Sequence, residues 1–196
     1  MKYKTLGLVV IGLVCAASNA MAAKAILAGG CFWCMESDFE KLDGVSDVIS
    51  GFTGGTLKNP TYNGNHSGHY EAVEITYDSN KVSYEELIDH YWINIDPFDD
   101  RGQFCDKGHS YLSAIFVANE KQRRIAEKSK KAVEAKFPDK VVATKILPVS
   151  TFYPIQGEES YHQDYYKKSP IRYKYYRWSC GRDQRLQELW GDKAKH

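Results

Sequence analysis

The chain has 196 residues, 43% hydrophobic and 26% charged, with 26 Lys and Arg against 25 Asp and Glu for a formal charge of +1. So balanced a surface gives no electrostatic footprint for nucleic acid or an acidic membrane. The length suits one hydrophobic core and is marginal for two, and neither repeats nor low-complexity segments occur.

Lys2 and Lys4 precede an apolar run over residues 6–17, and the small residues Ser18-Asn19-Ala20 or Ala20-Met21-Ala22 follow it. This is the pattern of a secretory signal peptide, residues 1–22, cleaved near Ala20 or Ala22 and leading to the periplasm or outside the cell. A bilayer span takes ~20 apolar residues, so this run is expected to leave no stable membrane anchor. Val14 stands where a lipidated Cys15 would want a small residue. Losing Lys2 and Lys4 lowers the charge by two, to −1, and leaves Cys31, Cys34, Cys105 and Cys180. A chain with this much ordinary core patterning needs no staples, so the cysteines read as functional.

Residues 24–28 read as a buried strand, Gly29-Gly30 breaks it, and residues 35–42 carry apolar side chains at helix spacing. Residues 45–52 have strand character. Residues 53–68, with four glycines and a proline, form a long loop carrying Tyr62, and loops of that length in compact domains are commonly functional. Residues 70–78 alternate as a strand. Ser83 and Glu86 make a capping box for a helix with Leu87, Ile88, Tyr91 and Trp92 on one face, ended by Asp96-Pro97. An irregular stretch, 98–109, leads to a strand at 111–118. Asn119 and Gln122 open a charged helix that Pro138 stops. A β-type stretch covers 141–149 and a short helix 158–168.

The order β-α-β-β-α-β predicts an α+β fold, a ferredoxin-like split βαβ two-layer sandwich with helices on one face, long loops and an extended C-terminal tail. The catalytic domain is expected over 23–170. The tail, 171–196, is dense in Tyr, Arg and Trp and carries Cys180. Base stacking could use such a composition, but secretion and near-neutral charge favour wrapping against the domain.

Cys31-Phe32-Trp33-Cys34 lies at the strand-to-helix turn, where free N–H groups favour an anion and ease ionisation of a thiol at Cys31. On the strand from Tyr70, Glu71 shares its face with Val73, Ile75 and Tyr77. A carboxyl among apolar neighbours is costly to ionise, so Glu71 is expected to remain a proton donor near neutrality.

Gly30-Cys31-Phe32-Trp33, Asn59-Pro60-Thr61-Tyr62, Gly68-His69-Tyr70-Glu71-Ala72-Val73 and the segment from Asp106 to Tyr111 occur in that order. Together they resemble the A-type peptide methionine sulfoxide reductases, over residues 25 to 170. The resemblance implies reduction of the S epimer of methionine sulfoxide, free or in proteins, with no bound cofactor and with an external thioredoxin-like dithiol as reductant. It implies Cys31 as nucleophile, Phe32 and Trp33 as walls for the substrate methyl group, Glu71 as acid, Tyr62 and Tyr111 as donors to the sulfoxide oxygen, and Asp106 as support. A monomer is expected.

Cys34 departs from the commoner Gly of the family and makes a Cys-x-x-Cys pair able to close a disulfide. Cys180 matches the family's habit of a resolving thiol on the C-terminal tail. Cys34 reacting first with Cys180 relaying oxidation outward is preferred, and a direct Cys31–Cys180 bond stays open. His109-Ser110 departs from the family before Tyr111, and Cys105 has no assigned role. No metal is expected, because His66, His69 and His162 have no ligand spacing relative to the cysteines. Two rival readings are a thioredoxin-like disulfide oxidoreductase using Cys-x-x-Cys, and a binding module whose aromatic tail grips a ligand while Cys31 and Cys34 form a structural disulfide.

Overall fold

The computed structural model describes residues 22–194; residues 1–21 of the expected leader, with Ala20 and Cys15, lie outside the described residues, and Ala22, the other expected cleavage position, opens the first strand. Strand β1 (Ala22–Gly29) leads into helix α1 (Phe32–Phe39), then β2 (Val45–Thr53), β3 (Tyr70–Asp78) and α2 (Tyr84–Ile93). A two-stranded ribbon, β4 (Gly102–Gln103) with β5 (Asp106–Lys107), precedes β6 (Ser113–Val117), α3 (Glu120–Lys136), β7 (Lys145–Pro148) and β8 (Tyr153–Pro154). Three α-helices follow, α4 (Tyr165–Lys168), α5 (Pro170–Ser179) and α6 (Arg182–Trp190), and a 3-10 turn, Gly191–Ala194, closes the described residues.

The main sheet runs β7-β6-β1-β3-β2-β8. Its inner four strands, β6-β1-β3-β2, pair antiparallel throughout and realise the split βαβ plan that the element order predicts. The edges go beyond that plan: β7 lies parallel to β6, and β8 adds a short antiparallel pairing to β2.

Side-chain alternation divides the core. Leu27, Val73, Ile75 and Ile115 face Phe32, Met35 and Phe39 of α1, Leu87 and Tyr91 of α2, Val133 of α3 and Leu186 of α6. The opposite face holds a smaller cluster of Ile26, Ala28, Tyr70, Ala72, Ala114 and Phe116, without a helix. Helices therefore cover one face, as expected, and the larger buried apolar area lies there. The capping box at Ser83 and Glu86 forms in both directions, and Asn119 caps α3 through the N–H of Gln122 at 3.0 Å.

Several elements differ from the sequence reading. Helix α1 starts at Phe32, earlier than residue 35, because Gly30 at φ +84° reverses the chain and leaves Cys31 as N-cap. Added bulk at Gly30 would place a Cβ 2.6 Å from Cβ of Gln103, so only glycine fits this turn. In 141–149 only Lys145–Pro148 pairs as a strand. The segment 158–168 is a 3-10 turn, Gly157–His162, then α4, separated by Asp164 in the left-handed region at φ +55°.

The tail is not extended. Helices α5 and α6 dock by Tyr173, Arg177, Arg182, Leu186, Leu189 and Trp190, all buried, while Ile171, Tyr175 and Trp178 face outward. Arg177 donates to Asp38 of α1 at 2.8 Å. Arg182, 1% exposed, donates to the carbonyl of Asn94 at 2.7 Å and reaches that of Gly29 at 3.3 Å. No helix among the described residues is long and apolar enough to cross a membrane.

Candidate active site

The turn after β1 and the start of β3 bring the chemistry together. Cys31 is 6% exposed, Cys34 1% and Glu71 1%. The backbone N–H of Phe32, the first free donor of α1, points at Glu71 and donates to Oε2 at 3.1 Å. Helix-terminal stabilisation expected for the thiol is thereby spent on the carboxyl. Burial nevertheless dominates: it pushes the Glu71 pKa up to about 8, aided by charge on Asp106 and Cys34 and opposed by the Phe32 N–H. Glu71 is therefore a neutral acid at pH 7, as its strand face predicts.

The two thiols behave as a pair. Burial, the hydrogen bond with Cys34 and the charges of Cys34 and Glu71 push Cys31 up, while a hydrogen bond from Tyr176 works the other way. Cys34 is pulled down to about 7, first by its hydrogen bond with Cys31 and then by Arg182 and Arg177, against burial. Of the two thiols Cys34 is thus the one drawn toward ionisation, by its hydrogen bond with Cys31 first and by the charges of Arg182 and Arg177 after it.

Phe32 and Trp33 form the floor of an aromatic nest. Phe32 stacks on Tyr62 with centroids 5.9 Å apart, and Trp33 stacks on Tyr165 at 3.9 Å and meets Tyr176 edge-on at 5.6 Å. Trp33 Nε1–H donates to Nδ1 of His162 at 3.0 Å, which fixes the indole. His162 packs on Tyr62 at 3.9 Å and is held neutral by burial. Glu159 receives the backbone N–H groups of Tyr62 and Asn63, each at 2.8 Å, and so pins the long loop over the site. Burial and then the charges of Glu71 and Cys31, among others, raise the phenols of Tyr62 and Tyr111. Both hydroxyls remain proton donors. Trp33, Tyr62, Tyr111 and Tyr176 are all half-buried, and they rim the cysteine.

Asp106, raised by burial, accepts the hydroxyl of Tyr176. Cys180 is bonded to Cys105 in a disulfide with Cα atoms 5.0 Å apart, and Cys31 and Cys34 are free thiols. Every predicted residue thus converges on one region, with Cys180 engaged by Cys105 in place of Cys31 or Cys34. The sequence reading missed Tyr176, His162, Glu159, Arg177 and Arg182. Only Tyr176 and the two arginines had a signal, the alternation of aromatic and basic residues in the tail.

A protein disulfide cannot dock on sulfurs so deeply covered, which disfavours the disulfide oxidoreductase reading. A structural Cys31–Cys34 bond, which the binding-module reading needs, is not formed.

The family model described as peptide methionine sulfoxide reductase matches residues 23–194. A peptide methionine sulfoxide reductase MsrA 2 of Caulobacter vibrioides is 51% identical over 170 residues, 85% of each chain. An MsrA of Bacillus licheniformis is 50% identical over 173 residues, 86% of this chain and 94% of that protein. Among solved structures, methionine sulfoxide reductase A of Corynebacterium diphtheriae superposes with a TM-score of 0.67 at 29% identity, over 79% of this chain and 78% of that one. With the match spanning both the thiol–carboxyl centre and the C-terminal helices that shape it, the chain belongs to the peptide methionine sulfoxide reductase family.

Proposed function

We propose that the protein reduces the S epimer of methionine sulfoxide, free or in oxidised proteins, to methionine; the two sulfoxide epimers are served by separate enzyme types. The observation that carries this reading is Glu71, buried so that its carboxyl is pushed up to about 8, beside the buried Cys31–Cys34 pair in which Cys34 is pulled down to about 7. A sulfoxide oxygen leaves poorly until it is protonated, and a sulfur nucleophile must be present as it goes. The methyl group rests against Phe32 and Trp33, and Tyr62, Tyr111 and Glu71 donate to the oxygen. Cys31 passes its proton to the Cys34 thiolate and attacks the sulfoxide sulfur while Glu71 protonates the oxygen. The hydroxyl then passes from the substrate sulfur to the Cys31 sulfur as the new sulfur–sulfur bond breaks and leaves its electron pair on the substrate, so methionine departs reduced by two electrons, Cys31 is left oxidised as a sulfenic acid, and Glu71 is left as the carboxylate.

Cys34, three residues on, attacks the sulfenic sulfur and expels water to give a Cys31–Cys34 disulfide. Cys180 then relays oxidation outward, and a thioredoxin-like dithiol resets the enzyme. Asp106 holds Tyr176 against the cysteine. The basic start, apolar run and small-residue cleavage sites favour export to the periplasm or beyond, as a monomer free of the membrane.

The test is racemic methionine sulfoxide with excess dithiol, followed by separation of the epimers. Half of the substrate disappears and half persists on this reading; loss of both epimers, or of neither, overturns it.

A further inference from the structure

The described cysteines stand in two layers with opposite redox states: the inner Cys31 and Cys34 are thiols, and the outer Cys105 and Cys180 are joined. A single carboxyl links the layers. Asp106 Oδ1 lies 3.7 Å from Cys105 Sγ and Oδ2 lies 4.0 Å from Cys180 Sγ. Oδ2 also accepts from Tyr176, whose hydroxyl is within hydrogen-bond reach of Cys31. Cys180 is thus separated from Cys31 by one phenol and one carboxylate. It caps the end of α5 before Gly181 at φ +70°, where the chain swivels into α6.

We propose that Cys105, together with Cys180, is the exit port of the catalytic cycle: an exchange disulfide that takes electrons from an external dithiol protein and hands them to the inner pair. This rests on the proposed Cys31–Cys34 chemistry and adds a residue and a sequence of bonds to it. Cys105 is exposed and Cys180 half-buried, so the external thiolate attacks the Cys105 sulfur. Cys180 leaves as thiolate, and the N–H of Cys105, 3.2 Å from the Cys180 sulfur, is placed to receive that charge. The second external thiol displaces Cys105 and completes a two-electron, two-proton reduction of the outer pair.

After a turnover, the Cys180 thiolate attacks Cys31 in the inner disulfide and Cys34 departs. Direction follows from placement: Asp106 and Tyr176 connect Cys180 to Cys31, so Cys31 is the sulfur attacked and Cys34, facing the charges of Arg182 and Arg177, is the thiolate that leaves. Cys105 then attacks Cys180 in the mixed disulfide, Cys31 is released and takes a proton, and the outer disulfide reforms. Two electrons and two protons have moved inward.

The experiment starts from protein with Cys31, Cys34, Cys105 and Cys180 reduced and the reductant removed. One equivalent of methionine sulfoxide is predicted to leave a Cys105–Cys180 disulfide with Cys31 and Cys34 as thiols by peptide mass mapping, and excess substrate to release two methionines per chain. One methionine per chain with a Cys31–Cys34 disulfide overturns the port and leaves the proposed inner chemistry standing; no methionine overturns both. Cys105→Ser and, independently, Cys180→Ser should release one methionine. Both should turn over with dithiothreitol, which is small enough to reach the inner pair, and at least ~10-fold more slowly with a thioredoxin; equal rates with the thioredoxin and the wild type would also overturn the port.

Discussion

At the scale of single residues, the Cys31–Cys34 pair and Glu71 set opposite limits on pH. The pair must carry a charge, which it acquires near pH 7, and Glu71 must carry a proton, which it loses near pH 8. The rate of sulfoxide reduction should therefore rise towards pH 7 and fall above 8, a narrow bell measurable as kcat/KM. Glu71→Gln should lose the alkaline limb and slow single-turnover methionine release by ~10²-fold or more; a near-normal rate would remove Glu71 from the chemistry. Cys34→Ser should move the acid limb to higher pH, because Cys31 is then buried with no thiolate beside it to take its proton.

Glu71 also couples pH to folding. An unfolded Glu ionises near 4.3, whereas the folded one holds its proton to about 8. The native state binds more protons between those values, so stability from this group is fullest below the unfolded pKa and falls as pH rises. Urea titrations of the wild type should show a declining contribution over that window, on the order of 1 kcal/mol per pH unit at most, which Glu71→Gln flattens. The acid was legible from strand alternation alone. The lowering of the Cys34 thiol was not, because part of it comes from Arg177 and Arg182, more than a hundred residues away in sequence.

At the scale of elements, helices α5 and α6 are the parts least legible beforehand and most consequential. Their aromatic residues obscure helical periodicity, since Tyr173 faces inward, Tyr176 faces Asp106, and Tyr175 and Trp178 face solvent. Beside their buried apolar residues, a buried ion pair docks them: Arg177 meets Asp38 at 2.8 Å with side-chain exposures of 9% and 0%. Removing one partner of a buried pair leaves a buried charge, so Arg177→Ala should cost about 3–5 kcal/mol in denaturant unfolding. It should also raise the Cys34 pKa, read by thiol alkylation against pH. Ser83→Ala, which removes a fully formed cap far from the site, should cost only about 1 kcal/mol and leave that alkylation profile unmoved.

At the scale of the whole molecule, local signals sufficed where neighbours in sequence are neighbours in the sheet. The inner strands and both crossover helices follow from periodicity and caps, and they place Cys31 at the end of β1 beside Glu71 at the start of β3. Strand β7 lies inside the β-type stretch read at 141–149, which overran its four pairing residues, whereas β8 offers only two, too few for periodicity to register. The aromatic nest around Trp33 draws on residues 62, 162, 165 and 176. Such a site exists only once the long loop and the C-terminal helices close over the sheet.

The account stands on attack by the Cys31 sulfur on the sulfoxide. The most direct measurement is a single turnover of Cys34→Ser, Cys180→Ser protein without reductant, trapped with a sulfenic-acid reagent and mapped by mass. One trapped sulfenic acid on Cys31 for each methionine released is the predicted result. Methionine released with Cys31 unmodified, or the label on Cys105, would contradict it.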